Sequence, residues 1–170
     1  MTVERRVLKN GVEKWFSNGK LISKVCKDGT GKWYHNNKLH NPVGPAVIES
    51  REFDSWAKKW YCHGRLHHLE KAAVQTCYQN MAFYVHEYYV MGIRHRPYGP
   101  AIEIELNPDY PYQIDTDIEN TWYLYGIKVL EETKIDEVNE WLKSHNIMPT
   151  RVARLTRKER VLFFLRFGHR

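Results

Sequence analysis

A pattern of aromatic, turn-forming and basic residues recurs five times within the first 130 residues. In each copy of eight positions, two aromatic residues come first, turn-forming residues follow at the fourth and fifth positions, and a basic and an apolar residue come next. The fifth position is glycine in four copies and Asn37 in the other, and both residue types tolerate a positive φ angle. The pattern predicts a β-hairpin in each copy, closed by a two-residue type I′ turn. The copies, numbered here as units one to five, are residues 15–22, 33–40, 60–67, 88–95 and 122–129.

A two-residue turn also predicts the register of each hairpin. The first position lies opposite the eighth, so Trp33 is expected to pair with His40, and the same holds for the next two units. Because successive side chains of a strand point to opposite faces, the second aromatic residue lies on the other face. The predicted tyrosine column on that face consists of Tyr34, Tyr61, Tyr89 and Tyr123.

Two units continue into a Gly-Pro-Ala turn and a further strand, at residues 41–49 and 96–104. Proline marks the start of that strand, since it cannot occupy a central ladder position. Residues 102–106 then alternate, with Ile102, Ile104 and Leu106 expected inward and two glutamates outward. In the third unit, residues 68–73 lack this Gly and Pro, so that turn is expected to be built differently or lengthened. Residues 107–121 are predicted to form a loop.

The repeat resembles a known family. Its W/Y-x-x-N-G-K-L-H core, best seen in residues 33–40 and 60–67, is similar to the MORN and MORN-like hairpin repeats, and the G-P-A-x-I extension is similar to a subgroup met in phages, large viruses and bacteria. The resemblance covers about residues 14–130. It implies an elongated sheet of stacked hairpins that binds or scaffolds other molecules and shares no catalytic residue, and it implies a phage or viral origin.

Two helices are predicted after Leu130. The first begins at a capping-box-like Thr133-x-x-Asp136, has one apolar face and ends at Asn146 and Pro149. The second begins at the capping box Thr156-x-x-Glu159 and runs to about Phe167, with Gly168 as its stop. Its apolar run at residues 161–165 covers most of the helix circumference. Such a helix must be buried on more than one side. The sheet of the chain can cover one side, and the first helix, a second copy of the chain or a partner must cover the rest.

These patterns predict a mainly β fold with a C-terminal α part: an elongated antiparallel sheet of repeated β-hairpins plus two C-terminal helices. Residues 1–130 form the array of about five units, and residues 131–170 form a helical appendage. The longest apolar run is too short to span a membrane, and the N-terminal residues carry no apolar signal segment. Three cysteines without framework spacing suit a reducing cytosol. A cytoplasmic location is expected, in the host cell if the protein is viral.

The net charge of +6 is unevenly distributed along the chain. Residues 1–98 carry a net charge of +8, residues 99–150 carry −8 and residues 151–170 carry +6. The basic tail can contact nucleic acid, pair with the acidic segment or simply face solvent. Its charged residues include Arg151, Arg154, Arg157, Lys158 and Arg160.

Histidine and cysteine residues are the candidates for chemistry. His40, His67 and His95 recur once per unit, which favours a structural role in the repeat over metal binding or acid–base catalysis. Cys62, His63, His67 and His68 are ligand types within seven residues, but no second paired cluster completes a zinc motif. No phosphate-binding loop or catalytic triad is present. We therefore expect no enzyme activity, no cofactor and no bound metal.

The leading functional hypothesis is a non-enzymatic interaction module, of the virus or phage accessory type that the resemblance implies, which binds a host or viral protein. The alternative is a nucleic-acid-binding protein that uses the basic C-terminal helix and the basic N-terminal half. A third hypothesis is a metal-dependent enzyme around His63, His67 and His68. The expected partner-binding residues are the tyrosine column, the basic tail residues named above, Phe163 and Phe164. The tyrosine column can equally be covered as core, and self-association through the second helix is the other expected assembly.

Overall fold

The protein is mainly β with two C-terminal helices, as the sequence predicts. The structure is a computed structural model that describes residues 2–50, 55–78, 82–110, 119–131, 133–148 and 156–167. Among these residues, no helix combines the length and the apolar character needed to cross a membrane.

The strands are short and follow one another closely. In chain order they are β1 (Val3–Val7), β2 (Glu13–Ser17), β3 (Lys20–Val25), β4 (Gly31–His35), β5 (Lys38–Leu39), β6 (Val47–Ser50), β7 (Trp56–Lys59), β8 (Tyr61–Cys62), β9 (Arg65–Leu66), β10 (Val74–Tyr78), β11 (Phe83–Glu87), β12 (Tyr89–Val90), β13 (Ile93–Arg94), β14 (Ile102–Leu106), β15 (Trp122–Leu124) and β16 (Ile127–Val129). The helices are α1 (Ile135–Ser144) and α2 (Arg157–Phe167).

One antiparallel sheet contains most of these strands. Its order is β1-β2-β3-β4-β6-β7-β10-β11-β14, with β5 paired to β4 outside this path. The pairs β8–β9, β12–β13 and β15–β16 form separate two-stranded hairpins. Because neighbours in the sheet follow each other along the chain, its connections are local. Units two, three and four each contribute two strands to this order: β4 and β6, β7 and β10, and β11 and β14.

The five predicted turns all have the type I′ geometry. Both central residues have positive φ angles in every unit, for example Asn18 at 47° with Gly19 at 75°, and Tyr125 at 51° with Gly126 at 84°. The predicted register is confirmed where it was assigned: the His40, His67 and His95 amides each donate to the carbonyl of the first residue of their own unit at 3.0 Å. Unit one contains a β-bulge between Trp15 and Phe16, which shifts its pairing.

A buried alanine joins each unit to the next at the bend between hairpin and sheet. Ala46, Ala73 and Ala101 are all fully buried. Each alanine carbonyl accepts the amide of the first aromatic residue of its own unit at 2.8–2.9 Å. Each alanine amide donates to the carbonyl of the residue just before the following unit at 2.8–2.9 Å. Because these alanines are fully buried, a larger side chain is expected to overpack its surroundings.

The third unit uses the same loop length as its neighbours, although it lacks their Gly and Pro. His68 replaces the loop's first residue, and its Nδ1 accepts the amides of Glu70 at 3.2 Å and Lys71 at 3.0 Å. Ala73 thereby reaches the same hydrogen bonds as Ala46 and Ala101. Of the two expectations for this turn, the different construction is therefore confirmed and the lengthening is not.

The strand alternation in β14 is confirmed only in part. Ile102 and Ile104 pack against the buried cluster around Phe83, but Leu106 at the strand end is exposed. Glu103 is half-buried rather than solvated, because it accepts hydrogen bonds from the Tyr88 hydroxyl at 2.9 Å and from Arg96 at 2.8 Å. In the predicted loop at 107–121, residues 111–118 lie outside the described residues.

The C-terminal helices and the last hairpin share one hydrophobic core. Phe163 of α2 is fully buried, its ring lies edge-on to Trp141 of α1 at 5.4 Å, and the Leu130 amide donates to the Phe167 carbonyl at 3.2 Å. The other buried members are Leu124, Ile127, Val129, Ile135, Val138, Leu142, Ile147 and Phe167. The first helix and the fifth hairpin therefore cover Phe163, whereas Leu165 stays 78% exposed.

The predicted start of α2 is confirmed, whereas the predicted start of α1 is wrong. The Thr156 amide donates to a Glu159 carboxylate oxygen at 2.7 Å, and the Glu159 amide donates back to the Thr156 hydroxyl at 3.3 Å. In α1 the capping position is Lys134, and its side chain makes no capping bond. The helix ends at Ser144 with His145 as its C-cap, and the predicted stop residue Asn146 follows directly with a φ of 56°. Pro149 and Gly168 lie outside the described residues.

Candidate functional site

Consecutive hairpins stack side by side through their turns. The fifth-position glycine amide of each hairpin from unit three onward donates to a carbonyl of the preceding hairpin: Gly64 to Leu39 at 2.8 Å, Gly92 to Leu66 at 2.7 Å and Gly126 to Arg94 at 2.8 Å. The space above each glycine is filled by a side chain of the preceding unit, so that Ile93 lies 3.1 Å from the position of an added Cβ at Gly126. Glycine suits these positions by its positive φ, and at Gly126 also by this close approach.

The repeated histidine is a second connector between hairpins. His67 Nδ1 accepts the Met91 amide of the following turn at 3.2 Å, and His95 Nδ1 accepts the Tyr125 amide at 3.1 Å. The His95 ring also stacks on the Tyr125 ring at 4.5 Å. Because these rings hold neighbouring turns together through one nitrogen, their geometry supports the structural interpretation of the repeated histidine.

The His95 connection predicts a dependence of stability on pH. Burial lowers the pKa of His95, so the unfolded chain takes up a proton at this ring first as the pH falls below about 6.5. The stability that this group contributes is complete above that pH and is lost below it. His95→Asn keeps an acceptor near the Tyr125 amide but cannot titrate. We expect it to cost about 1 kcal/mol at pH 7.5 through lost packing.

Urea unfolding of both proteins between pH 7.5 and 5 checks this prediction. Carboxylates titrate equally in the two proteins, so the difference between them isolates His95. The wild-type protein is expected to lose more stability on acidification than His95→Asn does, which narrows the gap between them. Parallel pH profiles would contradict the assignment.

The junction of units two and three differs from the others. Here the equivalent bond, from the His63 amide to His40 Nδ1, is stretched to 3.5 Å, and the two rings stack at 4.6 Å. Cys62 completes a group in which one ligand atom from each residue lies within 4.8 Å of the others. Burial lowers the pKa of His40, and the neighbouring His63 and His35 rings lower it further. The His35 ring lies 5.8 Å from that of His40.

The other two histidines of the predicted ligand cluster are occupied elsewhere. His67 Nδ1 accepts the Met91 amide and His68 Nδ1 organises the loop of unit three. Burial lowers the pKa of His68, and the charge of Lys71 adds to this effect. Within the described part of the chain, the group that could hold a metal ion is therefore His40, Cys62 and His63. Sequence spacing missed His40 because it precedes the others by more than twenty residues.

The tyrosine column is half-buried along its whole length. Arg94 lies between two of its rings, 5.2 Å from the centroid of Tyr89 and 5.0 Å from that of Tyr123. Its guanidinium also bonds the Tyr89 hydroxyl at 2.7 Å and the Glu87 carboxylate at 2.5 Å. Burial raises the pKa of Tyr89, and the charge of Glu87 adds to this effect. Two of the four tyrosines of the column, Tyr89 and Tyr123, thus contact Arg94 within the protein. Tyr34 and Tyr61 occupy the equivalent positions of the earlier units.

The predicted contacts of the C-terminal tail divide into three groups. Phe163 is fully buried in the core, so its ring is withdrawn from the surface at which we expected it to meet a partner. Arg151 and Arg154 lie outside the described residues. The remaining predicted contacts lie on α2, where the backbone is described but the side chains are not: Arg157, Lys158, Arg160 and Phe164.

A row of exposed apolar side chains lies at the tips of the loops that follow three consecutive hairpins. Val43, Leu69 and Tyr98 are 93%, 81% and 78% exposed. Val43 and Tyr98 occupy the same position of their loops, and Leu69 lies one position earlier. Between the first two loops is an open groove of about 410 Å³, which His40, Pro42, Trp60 and other residues line.

The loops that carry these tips are held from within. The Asn41 side chain donates to the Pro45 carbonyl at 3.0 Å and accepts the Val43 amide at 3.2 Å. Arg96 donates to the Pro100 carbonyl at 3.0 Å in the equivalent loop. Sequence reasoning used these loops only as turns and missed the tips. The available signal for Val43 and Tyr98 was an apolar residue inside a Pro-x-Gly-Pro turn, where a polar residue is usual. The loop that carries Leu69 lacks this motif and gave no such signal.

Comparison of the chain with protein-family models, curated proteins and solved structures gives no match. The resemblance to MORN-like repeats therefore stays a prediction from the motif.

Proposed function

We propose that the chain is a non-enzymatic protein-binding module whose contact surface is the row of loop tips formed by Val43, Leu69 and Tyr98. The observation that carries this proposal is the exposure of an apolar side chain at the tip of three consecutive, internally hydrogen-bonded loops. Aligned exposed apolar groups mark interaction sites more often than isolated ones do. Rigid loops also reduce the entropy that is lost when a partner binds.

The spacing of the loops favours an amphipathic helix as the bound segment. The loops lead into β6, β10 and β14, which are two strands apart in the sheet. Neighbouring strands are about 4.8 Å apart, so successive tips lie about 10 Å apart. Seven residues of an α-helix rise about 10.5 Å. A helix that lies across the array with apolar residues at i, i+7 and i+14 therefore places one of them at each tip.

Selection from a library of helical peptides tests this proposal. The library carries apolar residues at seven-residue spacing, and calorimetry measures the selected peptides against the wild-type protein and the triple variant Val43→Ser, Leu69→Ser, Tyr98→Ser. We expect the triple variant to bind at least about tenfold more weakly, since central apolar contacts cost more than about 1 kcal/mol each when truncated. The substitutions lie at exposed tips, so the fold is expected to be unchanged.

A second triple variant provides the matched control. Val7→Ser, Leu106→Ser and Leu165→Ser remove exposed apolar groups of similar size away from the loop tips. This control is expected to bind with wild-type affinity. Selected peptides that bind both triple variants as tightly as the wild type would refute the proposed surface, and so would a selection that yields no binder.

A further inference from the structure

The junction of units two and three combines ligand-type residues that no other junction of the array has. Its third and fourth positions are Cys62 and His63, and the eighth position of the preceding unit is His40. Unit two has His35 and Asn36 at its third and fourth positions, but the eighth position of the unit before it is Ile22. The other units have no histidine or cysteine at these two positions: Ser17 and Asn18, Val90 and Met91, and Leu124 and Tyr125. The repeat pattern alone therefore does not explain why histidine and cysteine side chains meet at this junction.

The hairpin register explains why the side chains meet. In a type I′ hairpin of this length the first, third, sixth and eighth positions share one face. His35 and His40 are therefore on the same face of unit two, and Cys62 takes the place of His35 in the adjacent unit three. The stacking of hairpins brings His63 over His40, with ring centroids 4.6 Å apart. Two consecutive units, whose ligand residues are more than twenty positions apart in the sequence, thus contribute to one cluster.

We propose that His40, Cys62 and His63 form a binding site for a zinc-type transition-metal ion, with His35 as the available fourth ligand. The ligand atoms of the first three residues lie within 4.8 Å of one another. Tetrahedral zinc with imidazole and thiolate ligands places its ligand atoms about 3.3–3.6 Å apart. The ligand atoms must therefore move closer together, and rotation of the exposed His63 side chain allows this. The His35 ring lies 5.8 Å from the His40 ring and 6.1 Å from the His63 ring.

The donor set determines the class of ion. Imidazole nitrogens with a thiolate suit zinc and the related later transition metals, whereas calcium and magnesium prefer oxygen ligands. Cys62 binds as the thiolate and its proton passes to solvent. The Nδ1 atom of His40 is held less tightly than those of His67 and His95, because its bond to the following turn is the longest of the three, at 3.5 Å against 3.2 and 3.1 Å. The His40 ring also forms a hydrogen bond with the Tyr61 backbone, which can orient it as a ligand. The site adds to the proposed peptide surface and does not depend on it.

Cobalt titration of the full chain, stripped of metal with a chelator, tests the site. We expect one equivalent of Co²⁺ to bind and to produce the near-ultraviolet charge-transfer band of a thiolate ligand, and we expect Zn²⁺ to abolish this band by displacement. Zinc should also raise the melting temperature, since it binds the folded chain. A wild-type protein that gives no thiolate band would overturn the proposal.

The repeat itself supplies substitutions that preserve the fold. Cys62→Ser and His63→Asn introduce the residues that unit one carries at these positions, and Asn18 adopts a φ of 47° where His63 has 48°. Cys62→Ser is expected to lose the charge-transfer band, and His63→Asn to bind Zn²⁺ at least about tenfold more weakly. Cys26→Ser, which alters a half-buried cysteine just after β3, should keep both the band and the affinity.

Circular dichroism without metal shows whether each variant is folded. A folded Cys62→Ser protein that retains the full band, or a folded His63→Asn protein with wild-type zinc affinity, would refute these ligands. Retention of the band in Cys26→Ser together with its loss in Cys62→Ser would support the assignment.

Discussion

Replacing Phe163 with alanine is expected to lower the free energy of unfolding by about 3–5 kcal/mol, the range for a fully buried phenylalanine. Its ring is completely buried and contacts the Trp141 ring edge-on at 5.4 Å and the Phe167 ring at 5.1 Å. Neighbouring residues come from α1, α2 and the last hairpin, so none of these elements can collapse alone to fill the cavity. Chemical denaturation followed by tryptophan fluorescence measures the change.

Leu165→Ala is the matched control for this prediction. Leu165 lies on the same helix, two residues away, and is 78% exposed. Its truncation is expected to change stability by no more than about 0.5 kcal/mol. Equal effects of the two substitutions would contradict the description of α2 as a helix docked through Phe163 onto the array.

Ala101→Leu is expected to destabilise the array by about 1–3 kcal/mol through overpacking. Ala101 is fully buried at the bend between hairpin and sheet. Its carbonyl accepts the Tyr88 amide at 2.9 Å and its amide donates to the Thr121 carbonyl at 2.8 Å. A leucine side chain adds three carbons at a fully buried position, so the surrounding groups must shift to accommodate it. Thermal or urea unfolding measures the loss of stability.

A substitution in the loop just before this bend separates overpacking at a buried position from a general effect of a new leucine. Tyr98→Leu places the same side chain in the loop after unit four, at a position that is 78% exposed. It is expected to leave stability within about 0.5 kcal/mol of the wild type. If Ala101→Leu also left stability unchanged, Ala101 would not be a closely packed link between units.

Local sequence was sufficient to predict the hairpins. Each turn needs two consecutive residues with positive φ, and Asn, Gly and their neighbours identify those positions within eight residues. The register of Trp33 with His40 follows from the turn length alone. The capping box of α2 was equally readable, because Thr156 and Glu159 satisfy each other's amides within one helical turn.

Other features depended on contacts between distant residues. The prediction that Thr133 caps α1 failed, because the capping position is Lys134 and it has no side-chain cap. The helix is instead held by the packing of its apolar face against the core. Periodicity left open what covers α2, because an apolar residue such as Phe163 can be buried by its own chain or by a partner. Only the docking of α1 and the last hairpin decided that Phe163 is core while Leu165 is not.

The amino-acid sequence determined the repeated hairpins, their turns and the mainly β class, since these depend on backbone preferences over a few residues. The tertiary structure decided how the hairpins stack, and with that which residues meet between units. His40 approaches Cys62 and His63 because the turn amide of one hairpin donates to a carbonyl of the preceding hairpin. Val43, Leu69 and Tyr98 form one row because units two to four each contribute two strands to the sheet. Both candidate sites are therefore properties of the stack, and no single repeat contains either of them.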